Sequence, residues 1–256
     1  MKTLLFIGDV VGKAGCDFLG SKLRKLRQLY GADITVVNGE NSAQGNGISP
    51  ASADMIFNAG ADLITTGNHA FRRKEAMNLF ENELILRPAN YPEGSAPGKG
   101  VGILDMGAYS VAFINLMGTV FLDPLDNPFT KMDELLPGIE TPNIFLDFHA
   151  EATSEKKAMG HYLTGKVTGV FGTHTHVQTA DEAILGDHTA YITDAGMTGP
   201  ELSCLGVEIQ SAVDRLRFRT PVRFKEADGD CFLCGVCVEF DEKSGKSHKI
   251  ERIIVR

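Results

Sequence analysis

The 256-residue chain is 43% hydrophobic and 23% charged, a composition that suits a globular protein with a sizeable core and excludes a disordered chain. Its net charge of -8 argues against an extended nucleic-acid surface, although a local site can still bind one phosphate through metal ions. No apolar run approaches the roughly 20 residues that span a bilayer, and the amino terminus lacks a signal-peptide pattern. We therefore expect a cytoplasmic protein without membrane contact.

The first third of the chain predicts strands that alternate with helices. Each short apolar run is followed by a segment with helical periodicity, and the first helix has Leu29 among its apolar positions. Such alternation indicates crossover connections and a mainly parallel sheet. The predicted strand and helix pairs lie at 3–11 and 14–30, at 33–41 and 49–60, and at 61–71 and 72–84.

The remainder of the chain begins with turns rich in Pro and Gly around one predicted strand, between residues 87 and 139. No repeat or change in composition requires a second domain, so we predict one α/β domain over residues 1–256. The later elements are predicted as strands at 109–118, 143–151, 167–176, 231–241 and 247–256, with helices at 152–165 and 206–218.

Five cysteines, an odd number in a chain without an export signal, indicate reduced thiols. Cys231, Cys234 and Cys237 are spaced like half of an iron–sulfur or zinc site, but the second half is missing. The predicted strand through them places Cys234 on the face opposite the other two. We interpret the three as buried structural residues that pack like small apolar side chains.

Five predicted strands end in polar residues, and this recurrence is the main functional signal. Taken singly, an aspartate or asparagine beside glycine is an ordinary turn former, and a buried histidine often has a structural role. The carboxyl ends of parallel strands meet at one edge, where open α/β sheets bind ligands. The residues concerned are Asp9, Glu40, Asn41, Asn68, His69, His149, Glu151, His174 and His176.

Carboxylates, amides and imidazoles together favour iron, manganese or zinc. A strand through His174 and His176 would direct both imidazoles to the same side, which suits a pair of metal ligands. The set is larger than one ion requires, so two metals that share a carboxylate are the simplest arrangement. Such a pair generates a hydroxide near neutral pH, and the hydroxide can attack a phosphoryl group.

Five motifs in order carry a resemblance over nearly the whole chain: "IGDVVG", "NGENSAQGNGI", "GNHAF", "DFHAE" and "GTHTHVQTAD". They resemble the motifs of calcineurin-type metallophosphoesterases, and most closely those of the YmdB family of bacterial phosphodiesterases. The resemblance implies a calcineurin-like α/β fold, with layered sheets flanked by helices and a site at the carboxyl ends of the strands.

The resemblance also implies a role for each residue of the site. It implies that a carboxylate bridges two metal ions and that one histidine acts as the general acid or polarises the phosphate. It places Asp9 and His176 on one metal, Asn68, His149 and His174 on the other, Glu40 between them, Asn41 beside the first metal or a substrate oxygen, and His69 at the leaving group.

Three positions depart from the wider superfamily. Val11 replaces a usual histidine ligand, and Glu40 replaces the usual bridging aspartate. Ala70 stands where an acidic residue usually follows the Gly-Asn-His motif, so the orientation of His69 must come from another residue. These departures are similar to those of the YmdB branch, and they leave the identity of the metals open.

The function expected is hydrolysis of cyclic nucleotides, with 2′,3′-cyclic phosphates implied by the resemblance and 3′,5′-cyclic phosphates also considered. The alternatives are a metal-dependent phosphomonoesterase or nuclease, and a regulator that binds a nucleotide or metal without turnover. Substrate-binding residues are not identified by the sequence. The resemblance also implies a homo-oligomer, either a dimer or a tetramer.

Overall fold

The computed structural model describes residues 1–92, 94 and 96–256. Two β-sheets pack face to face, and helices cover their outer faces. The strands are β1 (Lys2–Ile7), β2 (Asp9–Val10), β3 (Ile34–Asn38), β4 (Leu63–Thr65), β5 (Ile85–Leu86), β6 (Val101–Asp105), β7 (Ser110–Met117), β8 (Ile144–His149), β9 (Gly169–Thr173), β10 (Ala183–Leu185), β11 (Thr189–Ile192), β12 (Met197–Pro200), β13 (Cys231–Phe240) and β14 (Ser247–Val255). The helices are α1 (Gly12–Tyr30), α2 (Pro50–Ala59), α3 (Pro128–Leu135), α4 (Thr153–Tyr162) and α5 (Ile209–Phe218), with 3₁₀ helices at Lys74–Glu81 and Leu136–Gly138.

The strand order explains why the loops that follow the parallel strands lie together at one edge of each sheet. The first sheet runs β2-β12-β13-β1-β3-β4-β5 with β14 on β13, and its members β1, β3, β4 and β5 are parallel. The second sheet runs β10-β11-β9-β8-β7-β6, with β7, β8, β9 and β11 parallel. Antiparallel pairs add β13 beside β1 and the edge strands β6 and β10. The layered α/β architecture predicted from the sequence is confirmed.

A core of aromatic side chains holds the two sheets together. Phe6 of the first sheet stacks on Phe171 and Phe113 of the second, with ring centroids 5.0 and 6.0 Å apart. All three side chains are completely buried. Burial of each contributes about 1.5–3 kcal/mol, so this contact fixes the distance between the sheets and hence between the loops at their common edge.

Two details of the predicted helices differ in the structure. Leu29 is 75% exposed, because the buried stripe of α1 runs through Leu19, Leu23 and Leu26 and continues to the partly buried Tyr30. The segment predicted as a helix at 72–84 forms the 3₁₀ helix Lys74–Glu81. Apolar periodicity over so short a segment does not distinguish a 3₁₀ helix, with hydrogen bonds between residues three apart, from an α-helix, with hydrogen bonds between residues four apart.

The region between residues 87 and 139 contains more regular structure than its turns indicated. Strand β7 confirms the one predicted strand, and the structure adds β6 and α3. Strand β6 has the alternating burial of an edge strand, and α3 begins after Asn127, whose side chain accepts hydrogen bonds from two backbone amides. Both signals are local but short, and the surrounding Pro and Gly residues obscured them.

Candidate metal centre and substrate cavity

The loops of both sheets bring the eight predicted site residues together at one edge. Asp9 follows β1, the pairs at 40–41 and 68–69 follow β3 and β4, His149 ends β8, and the two remaining histidines follow β9. The first sheet therefore supplies the carboxylates and amides, while the second supplies three imidazoles. Because the aromatic core fixes the sheets, these side chains are held in place before any ligand binds.

The tightest cluster contains Glu40, His149 and His174, whose donor atoms all lie within 4.8 Å of one another. The Nε2 atom of His149 is 3.3 Å from Oε1 of Glu40 and 3.1 Å from Nδ1 of His174. The same nitrogen is 2.9 Å from Oδ1 of Asn68. The four residues that sequence analysis places on the second metal and at the bridge thus converge on one point.

A second group lies beside the first, around Asp9. The Oδ1 atom of Asp9 is completely buried and has no hydrogen-bond partner among the described residues. It is 3.7 Å from Nε2 of His176, which in turn is 3.2 Å from Nδ2 of Asn41. A buried carboxylate oxygen without a partner is costly unless it binds a cation, so this group fits the other predicted metal.

The three imidazoles share a common orientation. Each has one nitrogen in contact with a protein oxygen on its outer side, which leaves the other nitrogen directed at the centre. Such outer contacts fix the tautomer and the ring position of metal-ligating histidines. The outer contacts are Nδ1 of His149 to Oγ1 of Thr173 (2.9 Å), Nε2 of His174 to Oε2 of Glu151 (2.8 Å), and Nδ1 of His176 to the carbonyl of Leu205 (3.2 Å).

Behind His149 lies a buried carboxylate that sequence analysis missed. Asp147 accepts hydrogen bonds from the hydroxyls of Thr173 (2.7 Å) and Thr65 (2.5 Å) and from the side chain of Asn38 (2.8 Å). Burial raises the pKa of Asp147 to about 6. The signal for this residue was an acidic side chain inside an apolar strand, two positions before His149 and on the same face.

Charge interactions at the centre shift the pKa values of neighbouring groups in different directions. Burial alone would raise the pKa of Glu40, but the charge of His149 and hydrogen bonds from His149 and His69 hold it well below its usual range. Burial opposes charge on His149, yet Glu40 outweighs it and raises the pKa of His149 to about 9. Burial and the nearby His149 lower the pKa of His174 to about 3.

The loop that carries His174 and His176 corrects the prediction of a strand through both residues. Strand β9 ends at Thr173, and the two histidines have φ values of 100° and 64°, in the left-handed region. Both imidazoles still reach the centre, but through a tight loop and not through a period of two. Such a backbone is unfavourable for non-glycine residues and persists only where surrounding contacts impose it.

Those contacts involve Asp194, to which sequence analysis assigned no chemical role. Its Oδ2 atom accepts hydrogen bonds from the backbone amide (3.1 Å) and hydroxyl (2.7 Å) of Thr175, the residue between the two histidines. The same oxygen pairs with Nζ of Lys156 at 2.7 Å, and both side chains are almost completely buried. A buried ion pair therefore anchors the histidine loop to α4.

His69 lies at the entrance to the centre, where its side chain is 28% exposed. Its Nδ1 atom and its backbone amide are each 2.8 Å from a different oxygen of Glu40. Glu40 thus provides the orientation that an acidic residue at position 70 would otherwise supply. Gly67 allows the ring of His149 to pack closely against the backbone next to Asn68, because a Cβ atom at position 67 would lie 2.2 Å from that ring.

A cavity of about 450 Å³ opens from this centre. Glu40, His69 and His174 are on its inner wall, and Leu205 and Phe224 are on its outer wall. The volume suits a nucleotide-sized ligand. Phe224 is 54% exposed, and sequence analysis did not identify it because it is distant in the chain from every motif.

The donor set fits the predicted metals. Oxygen and imidazole nitrogen atoms at two adjacent positions, one of them an unpartnered buried oxygen, match the preferences of iron, manganese and zinc. The cysteines lie elsewhere and are all free: Cys234 and Cys237 are buried on opposite faces of β13, as predicted, while Cys231 is partly exposed at its start. Among the described residues, no helix is both long and apolar enough to cross a membrane.

Comparison with known proteins gives consistent results over nearly the whole chain. A family profile described as YmdB-like protein matches residues 5–253. A Bacillus subtilis (strain 168) protein named 2′,3′-cyclic-nucleotide 2′-phosphodiesterase is 47% identical over 255 residues, which are 98% of this chain and 96% of the relative.

Solved structures show the same relationship. A crystal structure of a hypothetical protein from Thermus thermophilus has a TM-score of 0.94 and 40% identity, and the match covers 99% of this chain and 98% of that one. A Staphylococcus aureus structure named as a candidate 5′-nucleotidase has a TM-score of 0.62 and 16% identity over 98% of this chain and 54% of that one. That second likeness shows the fold alone.

Proposed function

The chain belongs to the YmdB-like family, and from this membership together with the geometry of the centre we propose that it is a metal-dependent phosphodiesterase that hydrolyses 2′,3′-cyclic nucleotides. In the reaction, the oxygen of water bonds to phosphorus, the bond from phosphorus to O2′ breaks, and a proton is transferred to O2′. The product is a nucleoside 3′-phosphate. The class of reaction follows from the family, and the choice of ester follows the named activity of the Bacillus subtilis relative.

One observation supports this function most strongly. Donor atoms from two sheets converge at the end of a nucleotide-sized cavity, and each of three imidazoles has its outer nitrogen already in contact with a protein oxygen. A protein that only binds a nucleotide does not need such a set. When bound there, divalent metal ions acidify water and neutralise the charge of the phosphate.

We assign the ligand roles as sequence analysis predicted them. Asp9 and His176, with Asn41 nearby, would hold one ion, and Asn68, His149 and His174 would hold the other, with Glu40 between the two. Iron or manganese suits this mixture of oxygen and nitrogen donors best, and zinc is a further candidate. The number and identity of the ions are part of the proposal.

His69 is assigned to the leaving oxygen. It lies at the boundary between the centre and the cavity, where Glu40 holds its Nδ1 atom and its Nε2 atom is 3.3 Å from Nδ2 of Asn68. An imidazole at this position can give a proton to O2′ as the ester bond breaks. Its partial exposure allows it to exchange that proton with solvent after each turnover.

The test is a comparison of esters with the purified protein, before and after metal removal. We expect turnover of adenosine 2′,3′-cyclic phosphate that stops with chelator and returns with Mn²⁺ or Fe²⁺. Adenosine 3′,5′-cyclic phosphate and a chromogenic monoester should be poorer substrates by kcat/KM. Faster turnover of the monoester would instead favour the phosphomonoesterase alternative, and no turnover with either metal would favour a non-hydrolytic binding protein.

A small-molecule phosphodiester is thus the proposed partner of this site. The cytoplasmic location and the dimer or tetramer remain predictions. Measurement of the mass in solution by light scattering would test the second of these.

A further inference from the structure

One surface segment has a charge opposite to that of the whole chain. Residues 215–225, with the sequence "RLRFRTPVRFK", contain five cationic residues and no acidic residue, whereas the chain carries a net charge of -8. We call this segment the basic arm. Among the described residues, none of its five cations forms an ion pair with a carboxylate, and all five are exposed. The arm therefore presents free positive charge to solvent.

The basic arm also exposes aromatic side chains. Phe218 and Phe224 are 56% and 54% exposed, and they alternate with the arginines along the arm. Cations that follow a phosphate backbone, interleaved with aromatic rings on which bases stack, are the typical combination for binding single-stranded nucleic acid without strong sequence preference. Burial in the fold does not explain these two rings, although the guanidinium of Arg217 lies over the ring of Phe218 at 5.1 Å from its centroid.

The arm is continuous with the catalytic cavity. Phe224 and Lys225 line its outer wall, and the carbonyl of Lys225 accepts a hydrogen bond of 2.9 Å from the amide of Glu208, just before α5. Helix α5 begins directly after Glu208 and is ten residues long, about 15 Å, and the chain then runs through Arg219 and Arg223 to Phe224. One cation of the arm, Lys225, therefore lies at the cavity, and the other four belong to the end of α5 and to the segment that joins α5 to Lys225.

On the basis of the proposed function, we propose that the substrate class includes RNA oligonucleotides that end in a 2′,3′-cyclic phosphate. The terminal phosphate enters the metal centre, the last base stacks on Phe224, and Arg217, Arg219 and Arg223 contact phosphates of the preceding nucleotides. The negative charge of the whole chain excludes a broad nucleic-acid surface, but a short arm needs to hold only a few nucleotides.

Two other occupants fit the observations less well. The exposed apolar residues Ile209, Val213 and Leu216 lie along one side of α5 and would suit a second copy of the chain or a lipid surface. A two-fold contact between copies would oppose one basic arm to the other, which is electrostatically unfavourable. A lipid surface accounts for the cations but not for the continuity of the arm with the cavity.

The experiment compares two substrates with the same terminal group: adenosine 2′,3′-cyclic phosphate and a five-nucleotide oligoadenylate ending in that phosphate. The double variant Arg217→Gln/Arg223→Gln removes two cations outside the cavity lining. The matched control, Lys25→Gln/Lys243→Gln, removes two exposed cations elsewhere. Both substrates are assayed with the metal-loaded enzyme in 50 and 200 mM KCl, and binding of the labelled oligonucleotide is followed by fluorescence anisotropy.

We expect kcat/KM for the oligonucleotide to exceed that for the mononucleotide at least about twentyfold at low salt, so that an advantage remains at 200 mM KCl. Three phosphate contacts predict that kcat/KM for the oligonucleotide falls roughly twentyfold between 50 and 200 mM KCl. The double variant lacks two of these contacts, so its kcat/KM should fall only about threefold. The control variant should behave as the original enzyme. Phe224→Ala should lower kcat/KM by about tenfold on both substrates, because stacking of the terminal base is lost.

Equal kcat/KM and equal salt dependence for the two substrates would overturn the inference while the proposed function stands. A third outcome is salt-sensitive oligonucleotide binding that needs Arg217 and Arg223, with no turnover of either substrate. It would support binding of RNA by the basic arm but contradict the proposed function. Binding to phosphatidylglycerol vesicles, or a change of solution mass in the double variant, would overturn the inference if the oligonucleotide has no advantage.

Discussion

At the scale of single residues, the contacts of Glu40 have the widest consequences. Its two oxygens accept hydrogen bonds from the backbone and side chain of His69, and one of them also faces His149 and Asn41. The carboxylate of Glu40 thus helps to fix the positions of His69, His149 and Asn41. This explains how His69 keeps its orientation although position 70 is alanine.

We predict that His69→Asn lowers kcat by about 10²- to 10⁴-fold on 2′,3′-cyclic AMP, because the leaving oxygen loses its proton donor. Metal content and thermal unfolding should change little, since His69 is partly exposed and outside the buried donor cluster. Steady-state kinetics and metal analysis check this. His161→Asn, at an exposed histidine on α4, is the matched control; unchanged kcat in His69→Asn would remove it from the mechanism.

The thiols give a second prediction at this scale. Burial raises the pKa of Cys16, Cys234 and Cys237 to about 12, so these three stay protonated and shielded near neutral pH. We expect iodoacetamide at pH 8 to alkylate only Cys204 and Cys231 in the folded protein and all five thiols in guanidinium chloride. Mass spectrometry counts the adducts, and fast native labelling of Cys234 would contradict its structural role.

At the scale of elements, the loop after β9 depends on α4. Thr175 is bonded to Asp194, and Asp194 is paired with Lys156 inside the protein, so helix, loop and β11–β12 connection form one unit. A chain with left-handed backbone at both His174 and His176, the two proposed metal ligands of this loop, needs such an anchor. The anchor is invisible to local sequence patterns because its three members come from separate elements.

We predict that Lys156→Met destabilises the metal-free protein by about 3–5 kcal/mol, since Asp194 is left as an uncompensated buried charge. The double variant Lys156→Met/Asp194→Asn should recover part of this stability yet bind Mn²⁺ about 10- to 100-fold more weakly, because the loop loses its charged anchor. Urea unfolding and titration calorimetry measure the two effects.

The matched control for this pair is Lys157→Met, on the same helix. Lys157 pairs with Asp181 at 3.1 Å, but its side chain is about half exposed, so the loss should stay below about 1 kcal/mol. Equal destabilisation by Lys156→Met and Lys157→Met would show that the buried pair does not anchor the loop.

At the scale of the whole molecule, the centre connects the two sheets. Asp9, Glu40 and Asn68 extend from the first sheet, and His149 and His174 extend from the second. Bound ions would therefore link two halves that otherwise meet mainly through apolar packing. Metal removal should affect the stability of the entire protein and not only of the loops.

We predict that Mn²⁺, held at every pH at the concentration that is about 100 times its Kd at pH 7, stabilises the protein at pH 7 by roughly 2.7 kcal/mol, which corresponds to a Tm increase of about 5–10 °C. The increase should grow with pH up to about 9. Below that pH, the metal-free protein carries a proton on His149, whose pKa Glu40 raises to about 9, and the metal must displace it. His174 does not contribute to this pH dependence, because its pKa is lowered to about 3 and it carries no proton for the metal to displace.

Calorimetric unfolding between pH 6 and 9, with and without Mn²⁺, measures this dependence. Proton release on metal binding, followed in two buffers with different ionisation enthalpies, provides an independent check. His149→Gln should abolish both the pH dependence and most of the metal-induced increase. A Tm increase that does not vary with pH would contradict the assignment of His149 as a protonated ligand position.

Local patterns in the sequence predict the residue types of the candidate site and the sheet edge at which they lie. Apolar runs marked the strands, and the polar residues after them identified the carboxyl ends, because strand period and turn chemistry are local properties of the chain. The order of motifs indicated the family, which the comparisons confirm. The extent of the domain, 1–256, remains a prediction.

Which atoms of the site face one another follows from the tertiary structure and not from local sequence patterns. Asp147 and Asp194 support the histidines from other strands, the loop at 174–176 departs from strand geometry, and the basic arm reaches the cavity after folding. These relations join residues that are tens of positions apart. Local periodicity contains no information about such contacts, because they are set by the packing distance and register of the two sheets.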